Sequence, residues 1–174
     1  MRKAAISVLV VAFIGLVAGA RVTLAQQTAK KAPGPEQVLL RQWNGIGNKI
    51  IAMAKDWPAD KYDYRPNDKV RTFGQILAHI AASNYFATNP ALGKSTKGLQ
   101  DDPKEYKTKE QIVGFVEKSF ADGAAALEKG GNAGAMANLA NWVGIIEHSG
   151  EHFGNLVTYY RNNDVVPPES RPKK

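Results

Sequence analysis

Four stretches of this chain repeat their large apolar residues at intervals of three and four, and none alternates apolar with polar residues as a half-buried strand does. Between Pro35 and Trp57 the series is Leu39, Trp43, Ile46, Ile50 and Met53. After Thr72 it is Phe73, Ile76, Leu77 and Ile80, and after Thr108 it is Ile112, Phe115, Val116, Phe120 and Leu127. The last series, from about Ala135 to Asn162, is Leu139, Trp142, Ile145, Ile146, Phe153, Leu156 and Tyr160. Each marks the buried face of an amphipathic helix.

The ends of these helices are written into the sequence. Pro35 suits a first helical turn and Pro58 ends the first segment. Thr72-Phe-Gly-Gln75 and Thr108-Lys-Glu-Gln111 are capping boxes, so helices 2 and 3 begin there. Pro90 is expected to stop helix 2 after Asn89, and Gly130-Gly131-Asn132 to break helix 3. Val165-Val166-Pro167-Pro168 reads as an extended closing segment. The fold expected over residues 35–168 is therefore all-α, a four-helix bundle. The 18-residue link 90–107 can extend to roughly 60 Å, twice the roughly 30 Å of a 20-residue helix. It can cross the bundle lengthwise, which allows an up-down-down-up arrangement.

What precedes the bundle is different in kind. Arg2 and Lys3 lead an uncharged, mostly apolar run from Ala4 to Ala20, and Thr23-Leu24-Ala25 supplies small residues for cleavage. Residues 1–25 read as a signal peptide, 26–34 as a flexible leader and 169–174 as a basic tail. A periplasmic or secreted location is expected, with no stable membrane insertion after cleavage. Loss of Arg2, Lys3 and Arg21 lowers the formal charge from +7 to +4, spread over scattered residues, so nucleic acid is not an expected partner. There is no cysteine, hence no disulfide, thiolate ligand or cysteine nucleophile.

The chain has three histidines. His148 and His152 are four apart and share one face of helix 4, close enough for two ring nitrogens to reach one ion at about 2.0–2.1 Å. His79 lies on the stripe of helix 2 with Ile76 and Ser83, and supplies a third nitrogen if helices 2 and 4 pack together. On spacing alone, a core histidine and an ordinary surface pair account for the same pattern as well as a metal site does. His148-Ser-Gly-Glu-His152 also matches the inverted zinc-peptidase signature, with Glu151 as general base. That reading needs a further carboxylate downstream, where only Asp164 and Glu169 follow, and a cleft domain for which the chain has no room.

Three segments in order resemble the DinB-like superfamily of four-helix bundle metalloproteins: "YDYRPNDKVRTFGQILAHIA", "EHSGEHFGNLVTYYR" and "VVPPESR". The resemblance implies a divalent metal held by His79, His148 and His152 between helices 2 and 4. It also implies an up-down-down-up bundle and a tendency to form homodimers. Family members of known chemistry include thiol-dependent transferases and isomerases, and many have no assigned reaction.

Three imidazoles would leave a coordination position open, which is the catalytic rather than the structural pattern. An open ion acts as a Lewis acid toward water, a thiol or a carbonyl. Zinc and nickel are the metals expected, although imidazole also suits iron and copper. Heptad spacing turns Asn141 and Tyr159 toward the ligand face; Asn155 lies between them and Ser83 one turn beyond His79. These are candidates to line the pocket, or else interface polar residues and, for Tyr159, core. Glu151 is the candidate base, with a solvated helix residue as the alternative. An exported metal-dependent hydrolase or thiol-group transferase acting on a small molecule follows. The transferase form needs a diffusible thiol, which an oxidising envelope supplies poorly. A non-enzymatic metal- or ligand-binding bundle is the other reading.

Overall fold

The computed structural model describes residues 32–172. The expected signal peptide, most of the leader and the last two residues of the tail lie outside the described residues. Four helices form: α1 (Pro35–Asp56), α2 (Phe73–Ala91), α3 (Lys109–Ala137) and α4 (Leu139–Arg161). Single 3-10 turns at Ala59–Lys61 and Pro168–Ser170 complete the regular structure among the described residues.

Around the bundle the order is α1, α3, α2, α4. Cross-helix contacts fix the directions. Trp43 meets Phe120, while Lys109 meets the end of α1 at Lys55, so α1 and α3 are antiparallel. Gly74 lies by Ile112 and Asn84 bonds Ser119, so α2 and α3 run parallel. Trp43 packs on Trp142 and Tyr160 bonds Met53, so α1 and α4 also run parallel. The arrangement is up-down-down-up, and the 92–108 connection is the lengthwise crossover that parallel neighbours require.

The core is aromatic at two levels. Mid-bundle, the fully buried Trp43 packs on Phe120 and edge-on to Trp142, and its indole N–H donates to the Phe120 carbonyl at 2.8 Å. Glycine makes that approach fit: a Cβ on Gly123 would lie 2.3 Å from the Trp43 ring. At one end, Trp57, Phe73, Tyr62 and Tyr160 stack around the terminus of α1. The two tyrosine hydroxyls and the Lys109 ammonium bond to carbonyls at that helix end. Tyr62 donates to Ala54 O at 2.5 Å, Tyr160 to Met53 O at 2.9 Å, and Lys109 Nζ to Lys55 O and Trp57 O at 2.7 Å each.

The start of α2 is fixed more completely than a capping box alone achieves. Phe73 N–H donates to Tyr64 O and Gly74 N–H to Tyr62 O, both at 2.9 Å. Gln75 N–H donates to Thr72 Oγ1, and Thr72 N–H to Gln75 Oε1 at 2.8 Å. All four N–H groups that begin a helix are thereby paired, and the Tyr-x-Tyr loop supplies two of the acceptors.

Two helix ends differ from expectation, and the expected break of α3 at its glycine pair occurs but is confined to one residue. Helix α2 continues through Pro90 to Ala91, because proline at the end of a helix forfeits one hydrogen bond without forcing the chain out of the last turn. Only Gly131 leaves helical geometry in the glycine pair region (φ 55°, ψ −162°), and the helix resumes as far as Ala137. That turn sets the Asn132 side chain to accept from Glu36 N–H at the start of α1. Helix α4 then begins at Leu139, after Asn138, instead of at Ala135. Leu139 is 38% exposed and not core, since the second interruption turns it outward; Ile146 and Phe153 are half-buried. The closing segment returns to α1, where the Arg171 guanidinium grips both oxygens of Asp56 at 2.7 and 2.6 Å. That pairing holds the Asp56 carboxyl below its usual pKa.

Candidate metal centre

The paired helix start places His79 six residues beyond Phe73, on the α2 face that meets α4. His148 and His152 face it one turn apart on α4. The ring centroids lie 5.0 Å (His79–His148), 4.8 Å (His79–His152) and 4.5 Å (His148–His152) apart. One nitrogen from each ring lies within 4.8 Å of the others. His79 is 5% exposed, and His148 and His152 are half-buried.

Hydrogen bonding sets which nitrogen points inward. Nδ1 of His79 donates to the main-chain carbonyl of Asp101 at 2.9 Å, so its Nε2 carries a lone pair. That Nε2 stands 3.0 Å from Nε2 of His148. Two nitrogens sharing an ion at about 2.0–2.1 Å stand about 2.9–3.4 Å apart for right-angle to tetrahedral arrangements, and the observed spacing falls within that range. Nδ1 of His148 is buried with no hydrogen-bond partner among the described residues, so this ring has no other polar task than its Nε2 contact. The side-chain amide of Asn155 lies 3.2 Å from Nδ1 of His152. The three residues form a group that could hold a divalent ion, with the His79–His148 pair already at ligand spacing.

Electrostatics favours neutral rings. Burial, then the neighbouring His79, lowers the His148 pKa below the usual histidine range. Burial, followed by His148 and His79, lowers His152 to about 4. Both rings are therefore favoured as neutral at neutral pH, each with one nitrogen lone pair, the state in which imidazole binds metals.

Behind His79 lies a charged layer that the helical periodicity did not reveal. Asp101 Oδ1 is 3.2 Å and Asp102 Oδ1 3.8 Å from His79 Nδ1. Arg71 takes Asp102 in a two-point grip, Nε at 2.6 Å and Nη2 at 2.9 Å. This pairing lowers the Asp102 pKa and raises that of Arg71. Both aspartates sit in the crossover, read from sequence only as a link. Their one local signal was that Asp101-Asp102 is the sole pair of adjacent acidic residues in the chain.

The ring cluster lies between two openings. A groove of about 690 Å³ on the His152 side is lined by Arg71, Gln75, Asp102, Asn155 and Tyr159. A shallower one of about 430 Å³ on the His148 side is lined by Ser83, Asp101, Asn141, Phe86 and Ile145. Tyr159 is also core: its ring packs on Phe73 and Tyr64, and its hydroxyl donates to the Arg71 carbonyl. Ser83 is buried with its hydroxyl 3.5 Å from Asp101 Oδ1, while Asn141 and Asn155 are exposed. Glu151 is exposed beside the cluster, and its charge acts on His148. Among the described residues, the carboxylates within reach of a histidine ring are Asp101 and Asp102, not the Asp164 or Glu169 that a peptidase reading would have used.

No curated protein matches the chain. The sequence profile of the DinB superfamily matches residues 42–156, a span that begins in α1, contains all three histidines and ends late in α4. A match over most of the chain, on a bundle with this topology and this histidine cluster, places the protein in the DinB superfamily.

Proposed function

We propose that this protein is an exported, metal-dependent enzyme of the DinB superfamily whose ion is held by His79, His148 and His152. The observation that carries the reading is the pair of facing Nε2 atoms 3.0 Å apart, one of them fixed as a lone-pair donor by the Asp101 carbonyl. Zinc or nickel suits a site of neutral imidazoles. A divalent ion there would supply Lewis acidity toward a water, thiol or carbonyl in either opening.

The chain's own residues would do the rest. The low pKa values of His148 and His152 keep their lone pairs available at neutral pH. Arg71, Gln75 and Asn155 offer hydrogen-bond donors along the larger groove, while Phe86 and Ile145 give the smaller one an apolar wall. Hydrolysis of a small molecule is favoured over thiol-group transfer, because the chain has no cysteine and an oxidising compartment holds little free thiol. Glu151 is the candidate general base.

The exposure of Glu151 favours a second reading, a metal- or ligand-binding bundle without turnover. Turnover of ester or thiol-conjugate substrates that is lost in His148→Ala supports the enzyme; tight metal binding with no turnover of either class supports the binder. Elemental analysis of untagged protein tests the centre itself, with about one divalent ion per chain expected and none in His79→Ala/His148→Ala. Export is tested by the N-terminus of protein recovered from the cell envelope, which is expected at Gln26.

A further inference from the structure

We propose that Arg71 and Asp102 are positioning residues that hold the crossover so that the Asp101 carbonyl orients His79 for metal binding. The inference rests on the reading of the three histidines as a metal centre.

The crossover carries no regular secondary structure between Gly93 and Thr108, so nothing local holds Asp101 where His79 needs it. The contacts that do are tertiary. Arg71 stands just before the capped start of α2, and its carbonyl accepts from the Tyr159 hydroxyl of α4. Its guanidinium then reaches across 31 positions to grip both oxygens of Asp102. The adjacent residue's carbonyl is thereby placed 2.9 Å from Nδ1 of His79. An unbroken path thus runs from α4, through the α2 entry and the crossover, to the far nitrogen of a ligand ring. Such outer contacts fix tautomer and ring orientation, and their loss typically weakens metal binding about 10- to 100-fold.

The pair lies at the surface. Asp101 and Asp102 have side chains 60% and 52% exposed, and Arg71 is 35% exposed. Single-point ion pairs at such exposure contribute little to folding, and a two-point pair is the exception that can contribute measurably, so the melting temperature is part of the test. Fixed two-point geometry adds orientation, which lysine's single ammonium does not reproduce. A contact at the surface that fixes the partner of a buried ligand ring acts as a positioning device.

The test uses the full mature chain in four forms: wild type, Asp102→Ala, Arg71→Lys and His152→Ala. Metal-free protein is examined first by nitrogen-15 NMR of the histidine rings. His79 in the wild type is expected as the Nδ1–H tautomer, and in Asp102→Ala and Arg71→Lys as a mixture with Nε2–H. Zinc affinity, measured by competition with a chromophoric chelator, is expected to fall about tenfold in both variants, with the melting temperature of the metal-free protein little changed. His79 held as Nδ1–H in both variants, or zinc affinity equal to wild type in both, overturns the inference. His152→Ala separates the two levels. If it weakens zinc binding while Arg71→Lys and Asp102→Ala do not, the centre stands and the positioning role falls. If wild type and His152→Ala bind zinc equally weakly, the metal centre itself falls, whatever the tautomers show.

Discussion

Nε2 of His79 and Nε2 of His148 face each other at 3.0 Å across the α2–α4 interface, although 69 positions separate the two residues in the chain. One of these nitrogens keeps a lone pair because the opposite side of its ring is bound to the Asp101 carbonyl. The contact suits an Nε2–H···Nε2 hydrogen bond, and, were a cation bound, the same two nitrogens would direct lone pairs at it after a tautomer shift in His148.

Metal binding is therefore expected to stabilise the fold by mass action. At a free ion concentration about a hundred times Kd the gain is about 2.7 kcal/mol. The melting temperature of wild-type protein should rise on adding zinc and return with chelator, while that of His148→Ala should not respond. The variant is expected to remain folded without metal, because the aromatic core includes none of the three rings.

Acidification should destabilise the metal-free protein in a defined window. His152 titrates at about 4 in the fold and at the ordinary value of 6.5 when unfolded. Between those values the unfolded chain binds more protons than the native one. This contribution is complete above about pH 6.5 and is lost as the pH falls toward 4. Proton NMR of the rings checks it directly, and His148→Ala, which removes a neighbouring like charge and opens the site, should move the His152 midpoint upward.

Two glycines of α3 should respond to alanine with opposite signs. Gly123 lies against Trp43, where a Cβ would stand 2.3 Å from the ring; Trp43 is fully buried and hydrogen-bonded, so it has no room to move. Overpacking of about 1–3 kcal/mol outweighs the roughly 1 kcal/mol that alanine gains in helix propensity. Gly114 faces open space, and Gly114→Ala is expected to stabilise by about 0.5–1 kcal/mol. Urea unfolding of both variants measures the difference.

The start of α2 is open to a similar check. Thr72→Ala removes the side-chain acceptor of Gln75 N–H and is expected to cost about 0.5–2 kcal/mol. Hydrogen exchange should quicken first at Gln75. Phe73 and Gly74 remain bonded to Tyr64 and Tyr62, so their protection should change less.

The sequence by itself determined what local physics controls. Both capping boxes form as Thr72-Gln75 and Thr108-Gln111 require, because their partners are three residues apart and need no distant element. Trp43, Ile50, Leu77, Val116 and Leu156 are buried as their periodicity demands. His148 and His152 share a face by helical spacing alone, and the length of the 90–107 link already permitted parallel neighbours. Leu139 shows the limit: periodicity placed it in the core, but Asn138 interrupts the helix and turns it to solvent.

Only tertiary structure decided the surroundings of the site. A crossover without helical or strand period has no internal rule for where its side chains point, so nothing in Asp101-Asp102 could announce His79 as a neighbour. Arg71, ahead of the helix it introduces, finds Asp102 only once α2 and α3 lie parallel and the link is drawn along the bundle. Helices arise from bonds four residues long and can be read from a window of that size. The orientation of His79 depends on a hydrogen bond spanning 22 positions, and a contact of that kind exists only after packing has brought its two ends together.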